Sequence, residues 1–230
     1  MSQIIIENIT KTYTVANETI NAVLDTSLEV GAGEFVSIVG HSGSGKTTLL
    51  SILGGIARPT SGRVLFDGTD IYSLDTDGLS EYRSGRVGFM FQFASLLPVL
   101  TARENLLLPL VFHKGASGRK PEDNGKAAEL LKMVGLGDKI NAYPGHLSGG
   151  QQRRVAIARA FMNDPELILA DEPTGDLDVE TETDMLEFFR KMNREKNITF
   201  VMVTHNISIA ESASQRFRMS NGQIEKLVGK

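Results

Sequence analysis

The 230-residue chain has no cysteine. Disulfides, thiolate nucleophiles and zinc ribbons are therefore excluded, and a reducing cytoplasm suits the composition. Also missing is any apolar run near the roughly 18 residues that a membrane-crossing helix needs. The greasiest stretch, Leu106 to Phe112, is short and carries Pro109, so a membrane role is expected only through a partner. The start, Met1-Ser-Gln-Ile-Ile-Ile-Glu7, has no basic or long apolar segment, and no secretory leader is expected. Positive charge is not in excess: the net charge is −4 and the pI about 5.6. That balance argues against nonspecific nucleic-acid binding. There is no internal repeat or low-complexity tract. What remains, 41% hydrophobic and 23% charged residues, is ordinary for a globular protein with a real core, in one domain or two lobes.

Against that background one stretch stands out. Gly40-His-Ser-Gly-Ser-Gly-Lys-Thr47 fits G-x-x-x-x-G-K-[ST], follows the strand-like Glu34 to Val39 and precedes the helix-like Thr47 to Leu53. A triphosphate is dense in negative charge, and backbone N–H groups in a glycine nest at a helix start can hold it without a surplus of fixed cations. Gly40, Ser42, Gly43, Ser44 and Gly45 form the nest. Lys46 is expected to reach the β- and γ-phosphates, Thr47 to ligate Mg²⁺ and Thr48 to donate to the α-phosphate. ATP or GTP is the expected ligand.

The rest of the chain alternates strand and helix. Ile4 to Ile6, Ile20 to Val30, Arg63 to Phe66 and Val87 to Phe91 read as strands, with a hairpin turn at Asp67-Gly68 and a helix from Leu74 to Ser84. Tyr13 is either a sheet aromatic or a base-stacking one. From Phe93 to about Gly145 strands vanish, and helical pieces are joined by loops at Lys114 to Gly118 and Pro121 to Gly125, with a helix from Lys126 to Val134. Thr101-Ala-Arg-Glu104 and Ser148-Gly-Gly-Gln151 have capping-box spacing. Leu167 to Ala170 and Ile198 to Val203 are apolar throughout, as buried parallel strands are. Val179 to Arg194 reads as an amphipathic helix; a short helix and a turn at Gly222 follow.

Asp171 and Glu172 end the Leu167 strand, where strand C-termini face a ligand crevice. Asp171 is placed to hold Mg²⁺ and Glu172 to orient or deprotonate a water. With the phosphate loop, this carboxylate pair and Leu147-Ser-Gly-Gly-Gln151, the chain resembles the ATP-binding subunits of ABC transporters over nearly its whole length. Softer motifs, among them Gly88-Phe-Met-Phe-Gln92 and Leu108-Pro-Leu110, are similar to the lipoprotein-releasing, macrolide-efflux and cell-division branch.

The resemblance implies an α/β fold: a RecA-like P-loop NTPase core with an N-terminal antiparallel β subdomain and an inserted α-helical subdomain. Residues 1–230 would be one cassette, with 1–92 and 150–230 as core and β subdomain and 93–149 as the helical subdomain. It implies that Tyr13 stacks on adenine and that Gln92 senses Mg²⁺ and the attacking water. His205 would contact the γ-phosphate, acting with Glu172 and Gln92 in hydrolysis. Ser148, Gly149 and Gly150 would bind the γ-phosphate held by a second subunit, and Asp178 would communicate between subunits. Two ATP molecules would then sit between head-to-tail chains, and a separate permease would be driven from the cytoplasmic face of the membrane. A soluble, non-transporting ABC ATPase is the alternative. Three departures stand out: Ala16 where that branch often has glycine, Arg153 for a common glutamine, expected on an exposed helix face, and Asp176 for asparagine or alanine, an added carboxylate.

Overall fold

The computed structural model describes residues 2–16, 18–112, 120–211 and 213–227. The Lys114 to Gly118 loop lies outside them. Two strands of 14 residues, β1 (Ser2–Val15) and β2 (Glu18–Gly31), pair antiparallel and are longer than their apolar centres suggest. In β2 the alternation is plain at one end: Thr26, Leu28 and Val30 are buried, while Asp25, Ser27 and Glu29 are exposed. With β4 (Ser61–Phe66) and β5 (Thr69–Asp70) they form a four-stranded sheet in the order β2-β1-β4-β5.

The second sheet contains β3 (Phe35–Val39), β6 (Val87–Met90), β7 (Leu167–Asp171), β8 (Thr199–Thr204), β9 (Gln215–Ser220) and β10 (Gln223–Lys226) in the order β10-β9-β3-β8-β7-β6. All its pairings are parallel except β9 with β10. The β9–β10 hairpin corrects the sequence reading, which found only a turn there. Charged and polar residues interrupt β9, yet Phe217 and Met219 alternate into the core.

Helices α1 (Lys46–Leu53), α2 (Thr76–Glu81), α3 (Ala102–Phe112), α4 (Pro121–Met133), α5 (Gly149–Arg159), α6 (Val179–Lys196) and α7 (Ile207–Ala210) complete the fold. The expected Leu74 to Ser84 helix is shorter: α2 passes into a wider π turn, Tyr82–Arg86, where buried Tyr82 donates to Leu53 O at 2.8 Å. Pro121 to Gly125 is the opening of α4 rather than a loop. Proline loses no hydrogen bond at a first helical position, and the Asp123 carboxylate accepts from Lys120 N at 2.7 Å. Both capping boxes form, with Thr101 N donating to Glu104 Oε2 at 2.8 Å and Ser148 N to Gln151 Oε1 at 2.9 Å.

The parallel sheet is buried on both faces. Along β8, Phe200 and Met202 enter one core cluster, while Val201 and Val203 enter the other. The first cluster also takes Leu106 of α3 and Leu130 and Leu131 of α4, so the helices between β6 and β7 share a core with the sheet. At its centre Phe200 stacks on Phe35, with centroids 5.0 Å apart, and tilts against Phe189. Phe200→Ala is therefore expected to lower unfolding free energy by about 3–5 kcal/mol. Urea denaturation should show a lower midpoint at unchanged slope.

Candidate active site

Strands β3, β6, β7 and β8 run parallel, so their C-terminal ends share one edge. From that edge β3 feeds the glycine-rich loop into α1, β6 leads to Gln92, β7 ends on Asp171 and β8 ends on Thr204. The loop conformation needs glycine at position 45: φ is 106°, and a Cβ there would lie 2.0 Å from Ala22 O. Lys46 is buried and its Nζ donates to Gly40 O at 2.6 Å and His41 O at 3.0 Å, which holds the ammonium over the loop. Among the described residues the buried Ser44 Oγ has no hydrogen-bond partner. An unsatisfied hydroxyl beside a caged ammonium fits a ligand rich in anionic oxygens.

Thr47 Oγ1 donates to Asp171 Oδ2 at 2.7 Å, bringing two hard oxygen ligands together from α1 and β7. Desolvation raises the Asp171 pKa, opposed by the Thr47 hydrogen bond; the Glu172 charge raises it further, and Lys46 and Arg153 lower it. Among the described residues no group of three or more His, Cys, Asp or Glu could hold a metal. The oxygen pair nonetheless fits Mg²⁺, which binds through one or two carboxylates together with substrate phosphates.

Glu172 sits beside this pair. Its Oε2 accepts from Thr204 Oγ1 at 3.0 Å, and its Oε1 lies 2.8 Å from His205 Nδ1. The glutamate side chain is 14% exposed and the histidine 71%. Glu172 also has φ 46°, a left-handed conformation unusual for a residue with a Cβ.

A cleft of about 580 Å³ brings together Ser42, Gly43, Ser44, Gly45, Lys46, Thr47, Thr48, Gln92, Asp171, Glu172 and His205, and Asp176 joins them. That volume lies within the usual range for ligand sites. A larger cleft, about 760 Å³ beside α4 and α6, contains none of these groups. Tyr13 is outside the site cleft, 40% exposed, with Lys11 Nζ 4.9 Å from its ring centroid. Ser148, Gly149, Gly150 and Asp178 are outside it too. Ser148 caps α5, and Asp178 caps α6 by accepting from Thr181 N at 3.0 Å. Backbone and side-chain hydrogen bonds from Thr181 hold the Asp178 carboxyl below its ordinary range.

Arg153 corrects the expectation of an exposed face: it is 4% exposed. Its guanidinium donates to backbone carbonyls at the ends of β6 and β7, among them Phe91 O at 2.5 Å and Pro173 O at 2.8 Å. Sequence reasoning missed this because the partners are peptide carbonyls, which carry no residue signature.

A phosphate cradle at a parallel sheet edge, completed by an ordered carboxylate, makes the molecule a P-loop nucleoside triphosphatase. Residues 23–175 match the family model described as ABC transporter. The chain belongs to the ABC transporter family. It is 44% identical over its full length to the macrolide export ATP-binding/permease protein MacB of Syntrophobacter fumaroxidans, of which it covers 32%. It is also 44% identical to an uncharacterized ABC transporter ATP-binding protein, MJ0796, of Methanocaldococcus jannaschii, with 96% of this chain and 94% of that one covered. The dimeric structure of the MJ0796 cassette in a post-hydrolysis state with ADP and Pi superposes with a TM-score of 0.92, at 42% identity and covering 99% of this chain and 100% of that one. The chain thus spans about a third of the MacB relative and nearly all of the single-cassette one. Among the described residues no helix is long and apolar enough to cross a membrane.

Proposed function

We propose that this cassette binds ATP with Mg²⁺ in the cleft, hydrolyses it, and uses the ATP-dependent pairing of two copies to drive a separate membrane permease. The observation that carries the reading is the joined set of Thr47 on Asp171 and Glu172 held by Thr204 and His205. Lys46 and the loop N–H groups hold the phosphates. Thr47, Asp171 and Gln92 hold Mg²⁺, which supplies charge neutralisation on the phosphate oxygens. Glu172 takes the proton of the attacking water, with His205 fixing its orientation and facing the γ-phosphate. Tyr13 stacks on the adenine. Residues 93–149 serve as a helical lobe within a single 1–230 cassette.

Pairing is supported by position. Ser148, Gly149, Gly150 and Asp178 stand at helix starts outside the cleft, where they can serve the ATP of a second copy. Permease docking is supported by exposed apolar side chains after β6: Phe91, Phe93 and Val99 are 47%, 74% and 77% exposed. Phe91 also lines a cleft of about 450 Å³, together with Ile56, Phe89, Leu108, Pro109 and Phe112. Such docking would place the cassette on the cytoplasmic face of a membrane. The MacB relative points to export; lipoprotein release and mechanical signalling belong to the same branch.

Phosphate release with ATP and Mg²⁺ tests the reading. Specific activity should rise with protein concentration, as a dimeric active form requires, and fall to background with EDTA. Metal-independent release, or a rate per chain constant across dilution to monomer, would count against it.

A further inference from the structure

We propose that Arg153 is a positioning residue for hydrolysis: its guanidinium clamps the Glu172 turn to the Gln92 loop. The proposal rests on the ATPase reading above. The guanidinium carries five N–H groups, and five backbone carbonyls surround it. Nε donates to Pro173 O at 2.8 Å. Nη1 serves Phe91 O at 2.5 Å and Gln92 O. Nη2 serves Asp171 O at 3.4 Å and Glu172 O. The five carbonyls come from two segments far apart in sequence, one leaving β6 and one leaving β7.

The clamp answers a specific need. A left-handed conformation is unfavourable for a non-glycine residue and persists only when its surroundings over-determine it. At Glu172 the peptide is held from several sides: N donates to Val203 O at 3.0 Å, and O accepts from Arg153 and from Gly175 N at 3.3 Å. Burial lowers the Arg153 pKa, and Asp176, then Asp171 and Glu172, raise it through space. The added carboxylate at 176 and the added cation at 153, unrelated in sequence, thus offset one another. Arg153 also lies on α5, the helix that Ser148 opens, so the Leu147 to Gln151 segment, the Gln92 loop and Glu172 are tied into one unit.

Lysine keeps the charge but replaces a planar fork of five donors by one nitrogen with three, and methionine removes both. Arg153→Lys and Arg153→Met test the clamp in a Phe93→Trp background; the native chain has no tryptophan and Phe93 is exposed. Both variants should lower kcat by about 10²-fold, the scale of a small misplacement of reacting groups. ADP affinity by calorimetry should stay within about threefold, as expected for a residue that does not touch nucleotide. The fluorescence anisotropy of the introduced indole should fall as the Gln92 loop loosens. If Arg153→Met fails to fold, Arg153→Lys decides. A lysine variant with wild-type kcat, one whose ADP affinity falls in step with kcat, or one that does not fold overturns the assignment. An inactive Phe93→Trp parent whose ATPase is also absent in the wild type would instead refute the ATPase reading, with the anisotropy still reporting on the clamp.

Discussion

Glu172→Gln is expected to lower steady-state ATP hydrolysis by about 10²–10⁴-fold while leaving ATP affinity nearly unchanged. The substitution keeps the shape and removes the basic oxygen. In the native site one carboxylate oxygen is fixed by Thr204 Oγ1 and the other by His205 Nδ1, so the group is oriented before substrate arrives. The amide can still accept from Thr204, which preserves the turn. It cannot take a proton from water, so the loss falls on kcat. Phosphate release and equilibrium binding of ATP separate the two quantities. A variant retaining more than about a tenth of the wild-type rate would remove Glu172 from the role of base.

Lys46→Ala acts on the other side of the chemistry, weakening ATP binding by roughly 30- to 5,000-fold, the equivalent of about 2–5 kcal/mol for one partner of a buried charged contact. Lys46 Nζ is held by Gly40 O and His41 O, both within the phosphate loop. Its charge therefore sits at fixed height above the N–H cradle, and alanine removes the charge without filling the space. Titration with a fluorescent ATP analogue measures the change. An affinity within about threefold of wild type would mean that the backbone nest alone holds the phosphates.

The parts of this site that could be read from sequence were local. The glycine spacing, the apolar runs of β7 and β8 with carboxylates or polar groups at their ends, and both capping boxes are each written within a short stretch of chain. What escaped was set by contacts between distant segments. The β9 strand exists because β3 offers it a parallel edge, with Val36 to Val39 paired against Gln215 to Arg218, and its alternating Arg and Gln conceal the pattern. The opening of α4 has the composition of a loop, with Pro121 and Gly125 close together, although Pro121 and Asp123 are favourable at a helix start. Arg153 looked like a surface residue because burial of a guanidinium depends on where five carbonyls meet. Ala16 adopts φ 46°, the region where glycine carries no penalty, which accounts for the expectation of glycine there.

One copy of this cassette is half of the proposed working unit, since Ser148, Gly149, Gly150 and Asp178 all stand outside its own cleft. Light scattering on Glu172→Gln with and without ATP and Mg²⁺ tests this pairing most directly. A monomer of 25.0 kDa should double in mass only when ATP is present and return to monomer when ATP is removed. A variant that binds ATP stoichiometrically and stays monomeric at high protein concentration would contradict it.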